Sequence, residues 1–375
     1  MSKIYFIADS HLAYLLYANR PSINMDNYRA LFSVVRYIIE DNEKNKAVIF
    51  CGDNLDKKAP GPSDLKALQD AVGMLNKEDI PVYGIEGNHD KVAARKMSVE
   101  YADCQWIDLV PGMKSINNKT IDIHGIKVHG MDYIQGRQVF DKLEALEECD
   151  VLVMHQPFAH VSPFEANTLE IEGVPDQVNK AVVYGHVHVS DKKKTSSGKW
   201  VVSPGSTHAQ KITHPHGSFA VYDVESNEFE FVRTPDHREM LRFKCVDEES
   251  INNLEGYLEG LESTEEDNIP IIGIKYDEES GKSVAKLIDK YNDKAHFFPK
   301  IMPSDREQVT AEEVKDLSTE DTLIKLFESM ELDTDKDSDL YKCSLSLIEG
   351  NKDFVFKHLS KLEDIRDEII KDKTG

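Results

Sequence analysis

Short apolar runs rich in β-branched residues alternate with longer segments of helical periodicity along the first 235 residues. Such runs, bounded by turn residues, predict β-strands that are buried on both faces. The runs lie at residues 4–8, 47–51, 81–85, 126–131, 151–154, 181–184, 200–202 and 219–222. Between the first two, apolar residues recur at i, i+3 and i+4 from Tyr28 to Ile39, which predicts a helix capped by Asp26. The alternation favours a layered α/β domain.

The pattern changes after residue 235. Residues 243–246, 249–261, 269–276 and 282–291 predict a strand, a helix, a second strand and a second helix. From residue 310 onward the strand pattern stops, and two amphipathic helices are expected at 320–330 and 353–370. We therefore predict a main domain at 1–238, a small α/β capping unit at 239–308 and a helical C-terminal region at 309–375.

Composition narrows the class of protein. The chain has 375 residues and a net charge of -23, and residues 241–375 alone carry 34 acidic and 19 basic side chains. An acidic chain binds nucleic acid poorly through its overall field, because non-specific affinity comes from Lys and Arg. No apolar stretch approaches the ~20 residues that cross a bilayer. The 5 cysteines form no CxxC pair, so we expect a soluble intracellular protein without a disulfide framework.

Side chains that can bind metal follow five of the predicted strands directly. They are Asp9 and His11, Asp53, Asn88 and His89, His155, and His186 and His188. Loops at the carboxyl ends of strands converge on one crevice, and Gly52, Gly87 and Gly185 precede polar residues there, where a close backbone approach is useful. Taken singly, each motif could be a helix cap or a polar turn. Together they predict a two-metal centre for manganese, iron or zinc, with the two oxygens of Asp53 suited to bridging.

The motifs resemble those of the calcineurin-like metallophosphoesterases. The resemblance rests on Asp9-Ser10-His11, Gly52-Asp53-Asn54-Leu55-Asp56, Gly87-Asn88-His89-Asp90, His155 and Gly185-His186-Val187-His188. Within that superfamily, the Asp-x-His opening and Ser203-Pro204-Gly205-Ser206-Thr207 are similar to the SbcD-type exonuclease subunit of repair complexes, including those of tailed phages. The resemblance implies a layered β-sandwich flanked by helices, a small α/β capping domain and a helical C-terminal tail.

The same resemblance implies roles for individual residues. One ion would be held by Asp9, His11, Asp53 and His188, and the second by Asp53, Asn88, His155 and His186. His89 is left out of both sets and is the candidate catalytic residue, with Asp90 orienting it. The expected cofactors are two divalent ions, manganese first and magnesium as the alternative. The expected activity is double-strand exonuclease and single-strand endonuclease cleavage of DNA.

The implied partners are DNA, an SbcC-type coiled-coil ATPase bound by the C-terminal helices, and a second copy of the chain. Gly281-Lys282-Ser283 is no phosphate-binding loop, because Tyr276 stands where that motif needs glycine. The stripe formed by Leu65, Leu68, Val72 and Leu75 is either a dimer interface or is packed on its own sheet. Lys192, Lys193 and Lys194 are either DNA contacts or a solvated turn.

Two other classes of function remain open at this stage. A phosphatase or cyclic-nucleotide phosphodiesterase acting on a small substrate would use the same ligands, although it would not need the last 135 residues. A non-catalytic scaffold would retain the fold alone. One departure from the usual motif concerns Asp56, because some relatives have histidine at that position and its role here is undetermined.

Overall fold

The computed structural model describes residues 1–13, 21–56, 60–90, 106–162, 167–209, 216–236, 238–261 and 269–302. One compact unit comprises Met1–Tyr276 and Ser280–Lys300, and a second comprises Asp277–Glu279 and Ile301–Gly375. The helices predicted at 320–330 and 353–370 lie outside the described residues. The domain boundaries at 238 and 308 therefore stay a prediction.

Fifteen strands and six α-helices are described. The strands are β1 (Ser2–Ile7), β2 (Asn45–Cys51), β3 (Val82–Ile85), β4 (Met113–Ser115), β5 (Lys119–Ile123), β6 (Ile126–Met131), β7 (Cys149–His155), β8 (Val178–Gly185), β9 (Asp191–Lys194), β10 (Trp200–Ser203), β11 (Ser218–Asp223), β12 (Glu228–Arg233), β13 (Met240–Cys245), β14 (Ile271–Tyr276) and β15 (His296–Ile301). The helices are α1 (Pro21–Asn24), α2 (Asp26–Glu40), α3 (Pro62–Lys77), α4 (Gln138–Glu144), α5 (Glu248–Gly260) and α6 (Gly281–Lys290).

Two six-stranded sheets form a sandwich. Their strand orders are β12-β11-β1-β2-β3-β4 and β5-β6-β7-β8-β10-β9. Side chains alternate across each strand, so Ile4 and Phe6 of β1 meet the second sheet while Tyr5 and Ile7 pack under α2 and α3. The second sheet is covered on its outer face by α4 and neighbouring loops. The predicted layered sandwich flanked by helices is confirmed.

A three-stranded sheet, β13-β14-β15, carries α5 and α6 on its apolar side. The strand and helix order predicted for residues 243–291 is confirmed within a few residues. Strand β15 was not predicted, because Pro299 interrupts its apolar pattern and three of its six residues are exposed.

The structure corrects one prediction about helices and decides between two alternatives for another helix. Asp26 does not cap α2; it is the first helical residue, and its carboxylate instead binds the buried Arg238 guanidinium, with Nε 2.7 Å from Oδ2. Of the two alternatives for the stripe on α3, packing on its own sheet is the one that the structure shows. Leu68, Val72 and Leu75 are at most 2% exposed and pack on β2 and β3, with Leu65 against the same cluster.

Candidate metal centre

The predicted ligands come together at the carboxyl ends of parallel strands. Strands β1, β2 and β3 are parallel in one sheet, and β6, β7 and β8 are parallel in the other. Asp9, His11, Asp53 and His186 adopt left-handed backbone conformations, with φ of 51°, 42°, 50° and 84°. Asp and His accept this region more readily than most residues, but it still costs energy and concentrates at functional sites. The local backbone therefore turns each loop sharply into the crevice.

Small residues permit this close approach, as predicted for three glycines. A Cβ at Gly52, where φ is +91°, would lie 2.5 Å from His155 Nδ1 and 2.8 Å from the Gly87 nitrogen. A Cβ at Gly185 would lie 2.5 Å from the Cys51 carbonyl oxygen, and one at Gly87 would overlap Asp53. These contacts leave no room for a side chain, so the three glycines allow the loops of both sheets to meet.

The first cluster consists of Asp9, His11 and His188. Asp9 Oδ1 lies 3.7 Å from Nε2 of each histidine, and the two Nε2 atoms are 3.1 Å apart. The backbone N–H of His186 donates to the Asp9 carboxylate at 3.1 Å. Asp9 is fully buried, so this amide and the two imidazoles supply polar contacts that water would otherwise make.

The second cluster consists of Asp53, His155 and His186. His155 Nδ1 donates to the Cys51 carbonyl oxygen at 2.8 Å, which leaves Nε2 directed at Asp53 Oδ2, 3.2 Å away. His186 Nδ1 lies 2.9 Å from Asn88 Oδ1. The carboxamide oxygen of Asn88 therefore joins the same group of donor atoms.

Asp53 contacts both clusters through one oxygen. Oδ2 lies 3.2 Å from His155 Nε2 and 3.8 Å from His11 Nε2. Oδ1 accepts a hydrogen bond from the backbone N–H of His89 at 2.8 Å, which fixes the rotation of the carboxylate. This is the placement expected of a ligand shared between two ions.

The site is strongly polarised. Burial would raise the pKa of Asp53, but His155 and His11 hold it below its usual range. Burial would lower the pKa of His11, but Asp56, Asp9 and Asp53 raise it to about 10. Burial would also lower the pKa of His155, but the charge of Asp53 outweighs burial and raises this pKa to about 9. His188 differs, because burial dominates and lowers its pKa to about 4.

The residues fit divalent ions. His155 Nε2 is completely buried, and its 3.2 Å ionic contact with Asp53 Oδ2 does not have the geometry of a hydrogen bond, so among the described residues its hydrogen-bonding capacity is unmet, a costly state for a polar atom. A cation held with Asp53 and His186 would satisfy it. The donors are carboxylates, a carboxamide and imidazoles, with no thiolate. This set is typical of catalytic manganese, iron or zinc centres and not of structural zinc sites.

His89 and Asp56 lie beside the two clusters. The His89 side chain is 43% exposed, and its Nδ1 donates to the Asp56 carbonyl oxygen at 3.1 Å. Asp56 Oδ1 lies 3.0 Å from His11 Nδ1 and 3.4 Å from His89 Nδ1. Asp56 therefore contacts both a predicted ligand and the predicted catalytic histidine, a role that the sequence left undetermined.

The Asp90 carboxylate is engaged elsewhere. It accepts from the backbone N–H groups of Asn54, Leu55 and Gly87, at 3.3, 2.9 and 3.0 Å. Burial and the charge of Asp53 raise its pKa to about 6. The described contacts of Asp90 thus clamp two ligand loops together, and the His89 ring contacts Asp56 rather than Asp90. Any effect of Asp90 on catalysis stays a prediction.

The lysine run lies on strand β9 at the sheet edge. Lys192 Nζ donates to the Phe229 carbonyl oxygen at 2.8 Å and lies 4.8 Å from the Trp200 ring centroid. Lys194 Nζ is 3.9 Å from the same centroid. Two of the three candidate DNA contacts therefore have structural partners on one face of the sheet. DNA binding by this run stays a prediction.

Sequence reasoning missed Tyr133 and Gln135. With Asp56, Asn88 and His89 they line a cavity of about 320 Å³ beside the clusters. The Tyr133 ring is stacked on the His186 ring at 14°, with centroids 6.1 Å apart. Both residues follow the carboxyl end of β6, which the sequence predicted as a strand. Their loop contains no histidine, so their position directly after a predicted strand was the signal that could have identified them.

Comparisons with known proteins agree with this geometry. Residues 2–190 match the calcineurin-like phosphoesterase family. The chain is 25% identical over 309 residues to the DNA double-strand break repair protein Mre11 of Archaeoglobus fulgidus, covering 73% of this chain and 68% of that one. It is 30% identical over 219 residues to the Methanosarcina mazei protein of the same name, covering 55% of this chain but 33% of the relative. For the Sulfolobus acidocaldarius protein the identity is 26% over 212 residues, 54% of each chain.

Proposed function

The chain belongs to the calcineurin-like phosphoesterases, and on this basis we propose that it is a manganese-dependent DNA nuclease of the SbcD type. The observation that carries the proposal is the pair of clusters joined by one oxygen of Asp53. The similarity to proteins named for DNA double-strand break repair favours DNA over a small ester. The activity we assign is double-strand exonuclease and single-strand endonuclease cleavage.

Two ligand sets make up the proposed centre. Asp9, His11, Asp53 and His188 would hold one ion, and Asp53, Asn88, His155 and His186 the other. Bound divalent ions in such centres act as Lewis acids toward a phosphoryl oxygen and lower the pKa of water. Manganese is the proposed ion and magnesium the alternative, because both accept oxygen ligands and manganese tolerates imidazole.

The protein's own groups prepare the site for this chemistry. His11 Nδ1 donates to Asp56 and His155 Nδ1 to the Cys51 carbonyl, so each ring turns its Nε2 toward Asp53. A carbonyl oxygen only accepts, so the bond from His89 to the Asp56 carbonyl places a proton on Nδ1 of His89. Nε2 is then the atom that can hold a proton for the leaving oxygen.

The activity is tested with end-labelled duplex and single-stranded DNA in manganese, magnesium or EDTA. Nucleotide-by-nucleotide ladders that require metal support the proposal. Hydrolysis restricted to small phosphomonoesters would instead assign a phosphatase, and a metal-loaded protein that hydrolyses neither would be a scaffold. Asp53→Asn, purified in parallel, controls for contaminating nucleases because it alters the shared ligand by one atom.

The partners we propose are DNA, a coiled-coil ATPase of the SbcC type and a second copy of the chain. Among the described residues no helix is long and apolar enough to cross a membrane. The apolar faces predicted at 320–330 and 353–370 would dock on the ATPase. A chain ending at residue 308 should cleave DNA but not co-purify with the ATPase; retained binding would exclude this docking element. Light scattering of the full chain tests the homodimer, which would use a surface other than the largely buried stripe of Leu65, Leu68, Val72 and Leu75.

A further inference from the structure

Two cavities share a lining residue, and the first of them lies beside the metal centre. The first, of about 320 Å³, is lined by Tyr133, Gln135 and His89 among others. The second, of about 740 Å³, is lined by Asn117, Asn118, Gln135 and Gln138. Gln135 lines both, so the two cavities meet at this residue. We call the loop between them, residues 132–135, the platform loop.

The platform loop is anchored to loops that carry predicted ligands. The Tyr133 N–H donates to the Glu86 carbonyl oxygen at 2.8 Å, and the Glu86 N–H donates to Asp132 Oδ1 at 2.8 Å. On its other side, Gln156 Nε2 donates to the Ile134 carbonyl oxygen at 3.0 Å. Glu86 lies two residues before Asn88, and Gln156 directly follows His155. The loop is therefore held in a fixed position relative to the centre.

Tyr133 presents a flat ring at this position. It is stacked on His186 and meets the His155 ring edge-on, with centroids 6.3 Å apart. Both histidines belong to the cluster that contains Asp53. A phosphate reacting at this cluster would bring its neighbouring sugar and base within reach of the tyrosine. Aromatic rings beside a phosphate path are the usual stacking surface for unpaired bases.

The second cavity suits bases better than phosphates. The residues Asn117, Asn118, Gln135 and Gln138 line it with carboxamides, a group that carries both donors and an acceptor and so can pair with base edges. The Asn117 oxygen also accepts from the Asp132 backbone N–H at 3.1 Å. Its charged residues are Asp132, Asp141 and Lys142, which leaves a net negative charge that disfavours phosphate. The first cavity, at the lower end of the ~300 to 1,000 Å³ range of ligand sites, has room for one nucleotide and not for a stacked pair.

We propose that Tyr133 and Gln135 form a subsite for the unpaired nucleotide next to the scissile phosphate, and that the carboxamide-lined cavity receives the following bases of the same strand. This inference rests on the proposed nuclease function and specifies its substrate at the site. Tyr133 supplies the stacking face, and Gln135 supplies polar contacts at the point where the two cavities meet.

The test measures binding without cleavage. Fluorescent tetrathymidylate with phosphorothioate linkages is titrated into the full, manganese-loaded chain, and so is a tetramer of abasic deoxyribose with the same linkages. The subsite predicts that the wild type prefers the thymidylate by about 5- to 150-fold, the usual contribution of one stacked base. Tyr133→Ala should lose most of this preference, Tyr133→Phe should retain it, and Gln135→Ala should lower it by roughly 2- to 10-fold.

Controls separate the possible failures. Phe140→Ala removes an aromatic side chain that is 40% exposed on α4 and lines neither cavity, so it should keep the wild-type preference. Elemental analysis of every variant identifies any loss of metal, and Gln135→Ala serves if Tyr133→Ala proves unstable. Equal affinity of the wild type for both tetramers would overturn the subsite even if DNA is cleaved. A Tyr133-dependent preference in a protein that cleaves no DNA would support the subsite and refute the nuclease.

Discussion

Replacing Asp56 with alanine should weaken manganese binding more than it slows cleavage at saturating metal. Asp56 Oδ1 is 3.0 Å from His11 Nδ1, so truncation removes the group that orients a predicted ligand. His89 is affected less, because its Nδ1 also donates to the Asp56 backbone carbonyl at 3.1 Å, which alanine keeps. The substitution therefore acts mainly through His11.

The magnitude follows from the bond that is lost. A hydrogen bond to a charged group contributes about 1.5 to 3 kcal/mol, which corresponds to roughly 10- to 150-fold in affinity. Mutating the hydrogen-bond partner of a metal-ligating histidine typically lowers metal affinity or activity by ~10- to 100-fold, which agrees with this range. Asp56→Asn keeps a neutral acceptor in place, and a neutral hydrogen bond contributes about 0.5 to 1.5 kcal/mol. Matching ends of the two ranges differ by about 1 to 1.5 kcal/mol, so the asparagine variant should lose affinity by roughly 5- to 13-fold, less than the alanine variant.

The assay is single-stranded DNA cleavage as a function of manganese concentration, with direct metal titration of each variant. Asp122 provides a matched control, because its carboxylate binds the Gly125 N–H in the exposed turn between β5 and β6. Asp122→Ala should leave the half-maximal manganese concentration unchanged. The same null result for Asp56→Ala would refute the reasoning. If manganese affinity is unchanged but the cleavage rate stays low at saturating metal, Asp56 acts through His89 instead of His11.

Three further predictions concern the centre itself. His89→Gln should retain the metal content of the wild type, measured by elemental analysis, while cleavage falls by ~10²- to 10⁴-fold; loss of metal would make His89 a ligand. Asp53→Ala should deplete both ions, whereas His188→Ala should deplete mainly one, and Asp53→Ala retaining both would exclude bridging. Without metal the pKa values of His11 and His155 are raised to about 10 and about 9, so both rings are protonated near pH 7. Metal binding must then release protons and tighten as pH rises; calorimetry in buffers of different ionisation enthalpy checks this, and the absence of proton release would contradict it.

The sequence predicted strand positions correctly where burial determines the pattern of apolar residues. Strands β1, β2, β7 and β8 are apolar on both faces because they lie between the sandwich core and the outer layers, so their positions were predictable. Parallel strands place their carboxyl ends together, which is why five separated motifs indicated one site. Strands such as β9, with the sequence Asp-Lys-Lys-Lys, gave no apolar signal, since an edge strand needs little burial and carries charge.

The rest of the site depends on distances that no linear pattern contains. The contacts of Asp56 with His11 and His89 join the loops that follow three neighbouring strands, β1, β2 and β3, and only the register of β2 with β1 and β3 brings them together. The amide contacts that occupy Asp90 have the same origin. For helix α3 the sequence predicted an apolar face but not what covers it. A stripe such as Leu68 to Leu75 has the same periodicity whether it packs on its own sheet or on a partner.

The charge of the chain bears on how the proposed site would attract its substrate. A net charge of -23 repels a polyanion, and the carboxylates of Asp9 and Asp53 add negative charge at the centre itself. Divalent ions bound there would reverse that local sign, so we infer that metal binding is also the condition for phosphate binding. Contacts away from the centre would then come from bases, through uncharged groups such as Tyr133 and Gln135, and from basic surface on a partner. If the proposed function holds, we therefore expect a preference for strand ends and unpaired segments, where the faces of the bases are accessible for stacking.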